Sequence, residues 1–292
     1  MIYLKLLLTA AFWGGTFVSG RMLAADVPPS SAAFLRFAVA TVFLLALTLK
    51  QEGRLPRLAR RQILPIVLLG LTGVFAYNIL FFKGLKLVSA GRAALIIATN
   101  PIFITLLSAA IFKERLGIVQ AVGIVLSVAG AVVVISKGNL ALLFNSGIGW
   151  GEVLIFGCVA SWVSFSLIGK AVLSGLSPLV SIAYSSAVGA AALFVPAYLE
   201  GITRDITHYA LIDWGNIVYL ALFGTVVGFI WYYQGIRAIG ASRAGLFINF
   251  VPVSAIILAF FILGEAVTAS LVLGALLVSA GVFLTNSRIG LG

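Results

Sequence analysis

Apolar runs of about 20 residues recur along this chain almost without interruption. Coiled as an α-helix, each is about as long as the hydrocarbon core of a bilayer is thick. Ten runs are read, at roughly 4–24, 31–49, 63–83, 88–111, 117–135, 149–171, 178–199, 213–234, 240–262 and 267–286, and they take up most of the 292 residues. Hydrophobic residues make up 62% and charged residues 9%, with a mean hydropathy of +1.19. A soluble domain is nearer about half apolar and a quarter charged, and a water-soluble fold of this size has no way to hide the excess. The expected class is an all-α integral membrane protein with ten transmembrane helices and no separate soluble domain. The net charge of +11 does not point to nucleic acid, because the Lys and Arg residues sit in short loops between apolar runs rather than in a basic domain.

Two stretches explain how ten spans are organised. SAGRAALIIATNPIFITLL begins at Ser89 and GASRAGLFINFVPVSAIIL at Gly240, 151 residues later. Held at that offset from Lys83 to Gly130, 14 of 48 positions are identical, among them Arg92/Arg243, Pro101/Pro252, Glu114/Glu265, Gly123/Gly274 and Gly130/Gly281. Apolar composition alone does not align Arg, Pro and Glu without a gap. Upstream, an offset of 149 pairs Trp13 with Trp162, Gly20 with Gly169 and Pro29 with Pro178. The chain reads as two five-helix repeats, 1–140 and 141–292. Five is odd, so the second repeat enters the membrane the other way up. Inverted repeats of this kind accompany transporters whose sites lie near the midplane, between the halves. The repeat also makes the first run a retained span rather than a signal peptide, although Lys5 and Ala24-Ala25 fit the latter loosely. With the N-terminus in the cytoplasm, 12 Lys and Arg residues fall inside and six outside, which places both termini inside.

Deep polar groups are few. All eight acids and His208 fall in loops or near span ends, and Cys158 is a lone cysteine, so neither a disulfide nor a cysteine-based metal set is expected. Arg36 is the one clear charge inside a span. Two readings stand for it: attraction of a substrate carboxylate, or snorkelling to the headgroups. Trp13 and Thr16 (first span), Tyr77 and Asn78 (third), Asn100 (fourth), Trp162 and Ser164 (sixth), Tyr232 (eighth) and Asn249 (ninth) are, with Arg36, the candidate substrate-binding residues. Each Asn has an alternative role as interhelical hydrogen-bonding glue. Pro101 and Pro252 each remove a backbone donor in mid-span and are expected to kink the fourth and ninth helices. Gly123, Ser127 and Gly274 read as small residues for close helix packing.

Several segments resemble the ten-helix drug/metabolite transporters of the EamA type: FLRFAVATVFLL (34–45), NPIFITLLSAAIFKERLGIVQAVGIVLSVAGAVVV (100–134), its second copy VPVSAIILAFFILGEAVTASLVLGALLVSAGVFL (251–284), and AFWGGTFVSGR (11–21). The first copy departs from the pattern, with Lys113-Glu114 where Gly-Glu is usual. The resemblance implies a bacterial inner-membrane carrier of metabolites, commonly moving amino acids outward. Small multidrug antiporters of related descent depend on a carboxylate in their first helix. Here that helix offers only Trp13, Gly14, Gly15, Thr16 and Ser19, so cation-for-proton exchange is not expected. An aromatic, amide-lined, nearly uncharged cavity suits a neutral or zwitterionic solute with an apolar side group. Export of neutral amino acids, aromatic and larger apolar ones included, by alternating access is the expectation, with no cofactor and a monomer in the bilayer. Another small neutral metabolite or drug-like compound, with or without proton coupling, is the alternative. A membrane-embedded enzyme would need a deep nucleophile with its base, an acid pair or a metal set, and none is seen.

Overall fold

The computed structural model describes residues 1–112, 117–139, 148–172, 176–239, 244–245 and 247–286. Among them the protein is helical throughout. Helices are α1 (Ile2–Asp26), α2 (Pro29–Glu52), α3 (Arg60–Leu85), α4 in two pieces (Ala90–Ile97 and Asn100–Phe112), α5 (Ile118–Ile135), α6 (Trp150–Val172), α7 (Pro178–Leu199), α8 (residues 211–239), α9 (Phe247–Leu263) and α10 (Ala269–Asn286). A single-turn helix, Ile202–Asp205, lies between α7 and α8. Among the described residues, eight helices, α1 to α8, are long and apolar enough to cross a membrane, and the apolar helices of α9 and α10 are shorter.

Local chemistry sets the ends. Pro29 and Pro178, partners in the repeat, each occupy the first turn of their helix, where a missing N–H costs nothing and the fixed φ is already helical. Gly53 and Gly264 close α2 and α9 with φ of 71° and 66°, a conformation that a Cβ would strain. Outward faces carry apolar side chains such as Val125 at 67%, Leu276 at 64% and Phe261 at 77% exposure, as expected where lipid rather than water is the solvent. Inward faces are rich in small residues, with Ala32, Ala33, Ala90, Ala93 and Ala255 fully buried. Without a hydrophobic drive between helices, close backbone approach is what holds such a bundle together.

That approach is tightest between α5 and α10, which run antiparallel. A Cβ placed on Gly123 would lie 2.6 Å from the Gly281 carbonyl oxygen, and one on Gly130 would lie 2.9 Å from that of Gly274. Ser127 Oγ donates to the Val278 carbonyl at 3.3 Å, exactly one 151-residue offset away. The same crosswise correspondence recurs elsewhere. Helix α3 packs on α6 and α7, and α8 packs on α1 and α2. A Cβ on Gly73 would meet Phe165, and one on its partner Gly224 would meet Thr16, the counterpart of Phe165. At the ends of the antiparallel pair α2 and α7, Glu200 accepts from the Ser30 and Ser31 N–H groups at 2.8 and 3.0 Å, while Ser177 Oγ donates to Glu52 at 3.2 Å.

Two departures from regular helix bear on function. The middle of α3 (Gly70–Ala76) and the middle of α8 (Leu222–Val227) are π-helical, and they coincide under the 151-residue offset. Such wide turns re-aim side chains and often mark functional sites. Helix α4 breaks at Ala98-Thr99, so that Pro101 falls in the first turn of the second piece, and α9 opens with a 3₁₀ turn, Phe247–Asn249, just before Pro252. The interruptions satisfy the backbone at the price of straightness: the donor that Pro101 lacks is one that a first turn does not use.

Candidate functional site

The bundle has two ends. The near end carries Lys5, Glu52 and Ser177, and the far end carries Asp26, Glu152, Glu200 and Glu265. Between them a band of polar and aromatic side chains runs through the bundle, and it includes Arg36. Its side chain is buried, with Nη1 donating to Asn78 Oδ1 at 3.0 Å and Nη2 to Thr225 Oγ1 at 3.3 Å. Asn78 is itself held by donation from Nδ2 to the Val74 carbonyl at 2.8 Å, and Thr225 donates to the Leu220 carbonyl at 3.0 Å across the π-turn. Both therefore turn a neutral acceptor toward the guanidinium. The arginine thus joins α2 to α3, just past its π-helical region, and to the π-helical region of α8.

The band continues on both sides. Toward α1, Trp13 Nε1 donates to the Gly224 carbonyl at 3.1 Å, and its ring contacts Phe229 and Tyr232 at centroid distances of 5.6 and 5.3 Å. Thr16 caps the Trp13 carbonyl at 2.6 Å and presses its methyl against Gly224. Toward α6, Tyr77 stacks on Phe81 and meets Trp162 at 5.7 Å, and Trp162 stacks on Phe165 at 5.2 Å. Seven of the ten residues singled out from sequence, Trp13, Thr16, Arg36, Tyr77, Asn78, Trp162 and Tyr232, thus belong to one continuous arrangement. The others do not. Ser164 lies on an exposed face and bonds to its own helix at Ala160. Asn100 sits at the α4 break with Oδ1 buried and unpartnered, and Asn249 lies in the 3₁₀ turn that opens α9.

A cavity of about 270 Å³ lies on the near side of this band, between α3, α6, α7 and α8. Phe165, Ser166, Ser181, Ser185 and Tyr233 line it, with Leu69 and Ile182. None of these is among the ten candidate residues. Two signals were there to find: Ser181 and Ser185 share one face of α7 at i, i+4 spacing, and Ser185 is the repeat partner of Arg36. The volume is just below the range of small-molecule sites, about 300–1,000 Å³, so it suits a small solute rather than a large one.

The far-end positions that match this cavity are closed. The repeat partners of the cavity-lining Ser181, Ile182, Leu176 and Tyr233 are Ala32, Ala33, Val27 and Phe82, and all four are packed into the main core. Polar clasps reinforce them. Arg92 pairs with Glu152 at 2.7 Å, joining α4 to α6. Glu265 accepts from the Ala90 and Gly91 N–H groups at 2.8 and 3.2 Å, and Arg21 donates to the Leu85 carbonyl. A carboxylate on free helix N–H groups also complements the helix dipole. The mouth carboxylates Glu152 and Glu265 therefore act here as clasps. Glu114, the partner of Glu265, lies outside the described residues, as does Arg243. No three His, Cys, Asp or Glu side chains come together as a metal set among the described residues.

Comparison with known proteins agrees with this architecture. The EamA-like transporter family matches residues 1–136 and again 149–287. The uncharacterised transporter YyaM of Bacillus subtilis is 32% identical over 288 residues, covering 99% of this chain and 94% of that one. A probable terminal-alkyne amino-acid exporter of Streptantibioticus cattleyicolor is 30% identical over 285 residues, covering 97% and 92%. A solved crystal structure at 19% identity superposes with a TM-score of 0.65 over 97% of this chain and 95% of that one, a likeness of fold.

Proposed function

The chain belongs to the EamA-like transporter family, and from that premise we propose that it exports neutral amino acids, aromatic and larger apolar ones included, by alternating access. The carrying observation is the asymmetry between the two ends: a cavity of about 270 Å³ on the near side, and buried core at the repeat-related positions on the far side. In this reading ten spans form two inverted halves, 1–140 and 141–292. The crosswise pairs Gly123/Gly281 and Gly130/Gly274 support it, as does the doubled family match. Exchange of conformation between the halves would close the near cavity and open its counterpart. The chain lies in a bacterial inner membrane with both termini cytoplasmic, so the present state faces inward, and it works as a monomer.

Amino-acid export is favoured by three features: the cavity's size, its lining of serine hydroxyls and aromatic rings, and the relative named as an amino-acid exporter. The described band contains no carboxylate, which supports facilitated diffusion or exchange rather than proton coupling. The test is counterflow in proteoliposomes loaded with single unlabelled amino acids, with and without a pH gradient. Accumulation of labelled amino acid without a gradient is expected. Absence of counterflow for every amino acid, with protein shown to be folded, would overturn the reading, and strong stimulation by the gradient would replace its uncoupled form.

A further inference from the structure

Arg36 is buried in mid-band and lacks a counter-ion. A guanidinium has five N–H donors. Here Nη1 and Nη2 each reach one neutral oxygen, and Nε, also buried, reaches none. The one ion pair among the described residues is Arg92–Glu152, at the far end. A charge held this deep is costly unless something pairs with it. Nor does the group snorkel: its side chain is only 8% exposed and points to Asn78 and Thr225, inside the bundle.

We propose that the carboxylate of the transported solute is the missing counter-ion of Arg36, received in a cradle of Arg36, Asn78 and Thr225. The proposal rests on the carrier reading above and names the recognition element within it. Three observations carry it. The guanidinium keeps unused donors on the side of Nε, and planar carboxylate recognition is what that fork does best. Asn78 and Thr225 spend their own donors on Val74 and Leu220, so they hold the guanidinium in place without neutralising it. Finally, Thr225 lies in the π-helical region of α8 and Asn78 lies two residues past the matching region of α3, bonded back into it at Val74, which places the charge where the two halves meet. Its repeat partner Ser185, on the wall of the near cavity, is neutral. The same geometry places Arg36 on the wall of the far cavity once that opens, where Ser185 lines the near one.

The test measures binding and transport separately. Purified full-length protein is titrated with leucine and with phenylalanine, each against its carboxamide, following the emission of the tryptophans that flank the site. The free acids are expected to bind about tenfold or more tightly than the amides, as for loss of a charge-assisted hydrogen bond. Arg36→Gln should bring that ratio to about one, and Arg36→Lys should restore part of it. Asn78→Asp keeps the arginine but supplies an internal carboxylate about 3.0 Å away, and it should abolish the preference as completely as Arg36→Gln does. Amides that bind as well as acids, a preference that survives Arg36→Gln, or no carboxylate-dependent binding by folded protein would each overturn the proposal. Counterflow with an acid-to-amide ratio of one would retain the carrier and reject the cradle. An Arg36-dependent ratio without counterflow would retain the cradle and reject the carrier.

Discussion

The seam between α5 and α10 gives a sharp test, because the same substitution should have opposite signs at two glycines. At Gly123 an added Cβ would lie 2.6 Å from Gly281 O, Thr285 N and Thr285 Oγ1. Two of these are backbone atoms, which cannot rotate away. To restore an ordinary contact the helices must part by about 0.8 Å, a gap that forfeits roughly a quarter to a half of the dispersion attraction along the seam. Overpacking of this kind costs about 1–3 kcal/mol, against which Ala regains about 0.5–1 kcal/mol of helix propensity. At the middle of those ranges Gly123→Ala should destabilise by about 1 kcal/mol, or roughly 2–4 °C in apparent melting temperature. Gly215, on the exposed face of α8, has nothing within 4 Å of its added Cβ. There Gly215→Ala should stabilise by about 0.5–1 kcal/mol, roughly 1–4 °C. Both are read by thermal unfolding in one detergent, with size-exclusion profiles as a check on fold. A Gly123→Ala variant as stable as the parent, or shifts of one sign at both sites, would refute the account of the seam.

Two further outcomes test the gate. In a Cys158→Ser background, which keeps a donor toward the Tyr77 carbonyl, Ser181→Cys should react with an impermeant maleimide from the near side and be shielded by bound substrate. Ala32→Cys, its repeat partner, should stay unreactive from the far side until substrate drives cycling. Equal labelling of both at rest would contradict the closed far end. Glu265→Gln weakens the clasp on Ala90 and Gly91 N–H by about 0.5–2 kcal/mol, and far-side labelling of Ala32→Cys should rise roughly 2- to 30-fold. An unchanged rate would mean that this clasp does not hold the gate.

Much of the architecture was legible before any coordinate. A span is a local property, about 20 apolar residues whose backbone bonds close within the segment, so the positions of α1 to α8 follow from composition along the chain. The ninth run extends into residues outside those described, and the described parts of α9 and α10 are shorter. The 151-residue offset was equally plain, and it anticipated which glycines would be paired, though not that Gly123 would face Gly281 rather than its own counterpart, Gly274. That crossing is a consequence of antiparallel packing, which a linear alignment does not contain.

The site divides in the same way. Burial in an apolar run marked Arg36, and aromatic residues in matched spans marked Trp13 and Trp162. Ser164 was marked by the same logic but turned back on its own helix, because a serine in an apolar helix can satisfy itself one turn away. Thr225 went unnoticed because nothing local distinguishes it. It matters only because a π-turn in α8 aims its hydroxyl at an arginine 189 positions earlier. The sequence alone determined that the chain prefers lipid to water, repeats itself, and carries one charge inside a span, since these depend on residue type and spacing. Which acceptors meet that charge, which end opens into a cavity and which serines line it were decided by tertiary structure. Each is a relation between helices far apart in the chain, and only packing brings them together.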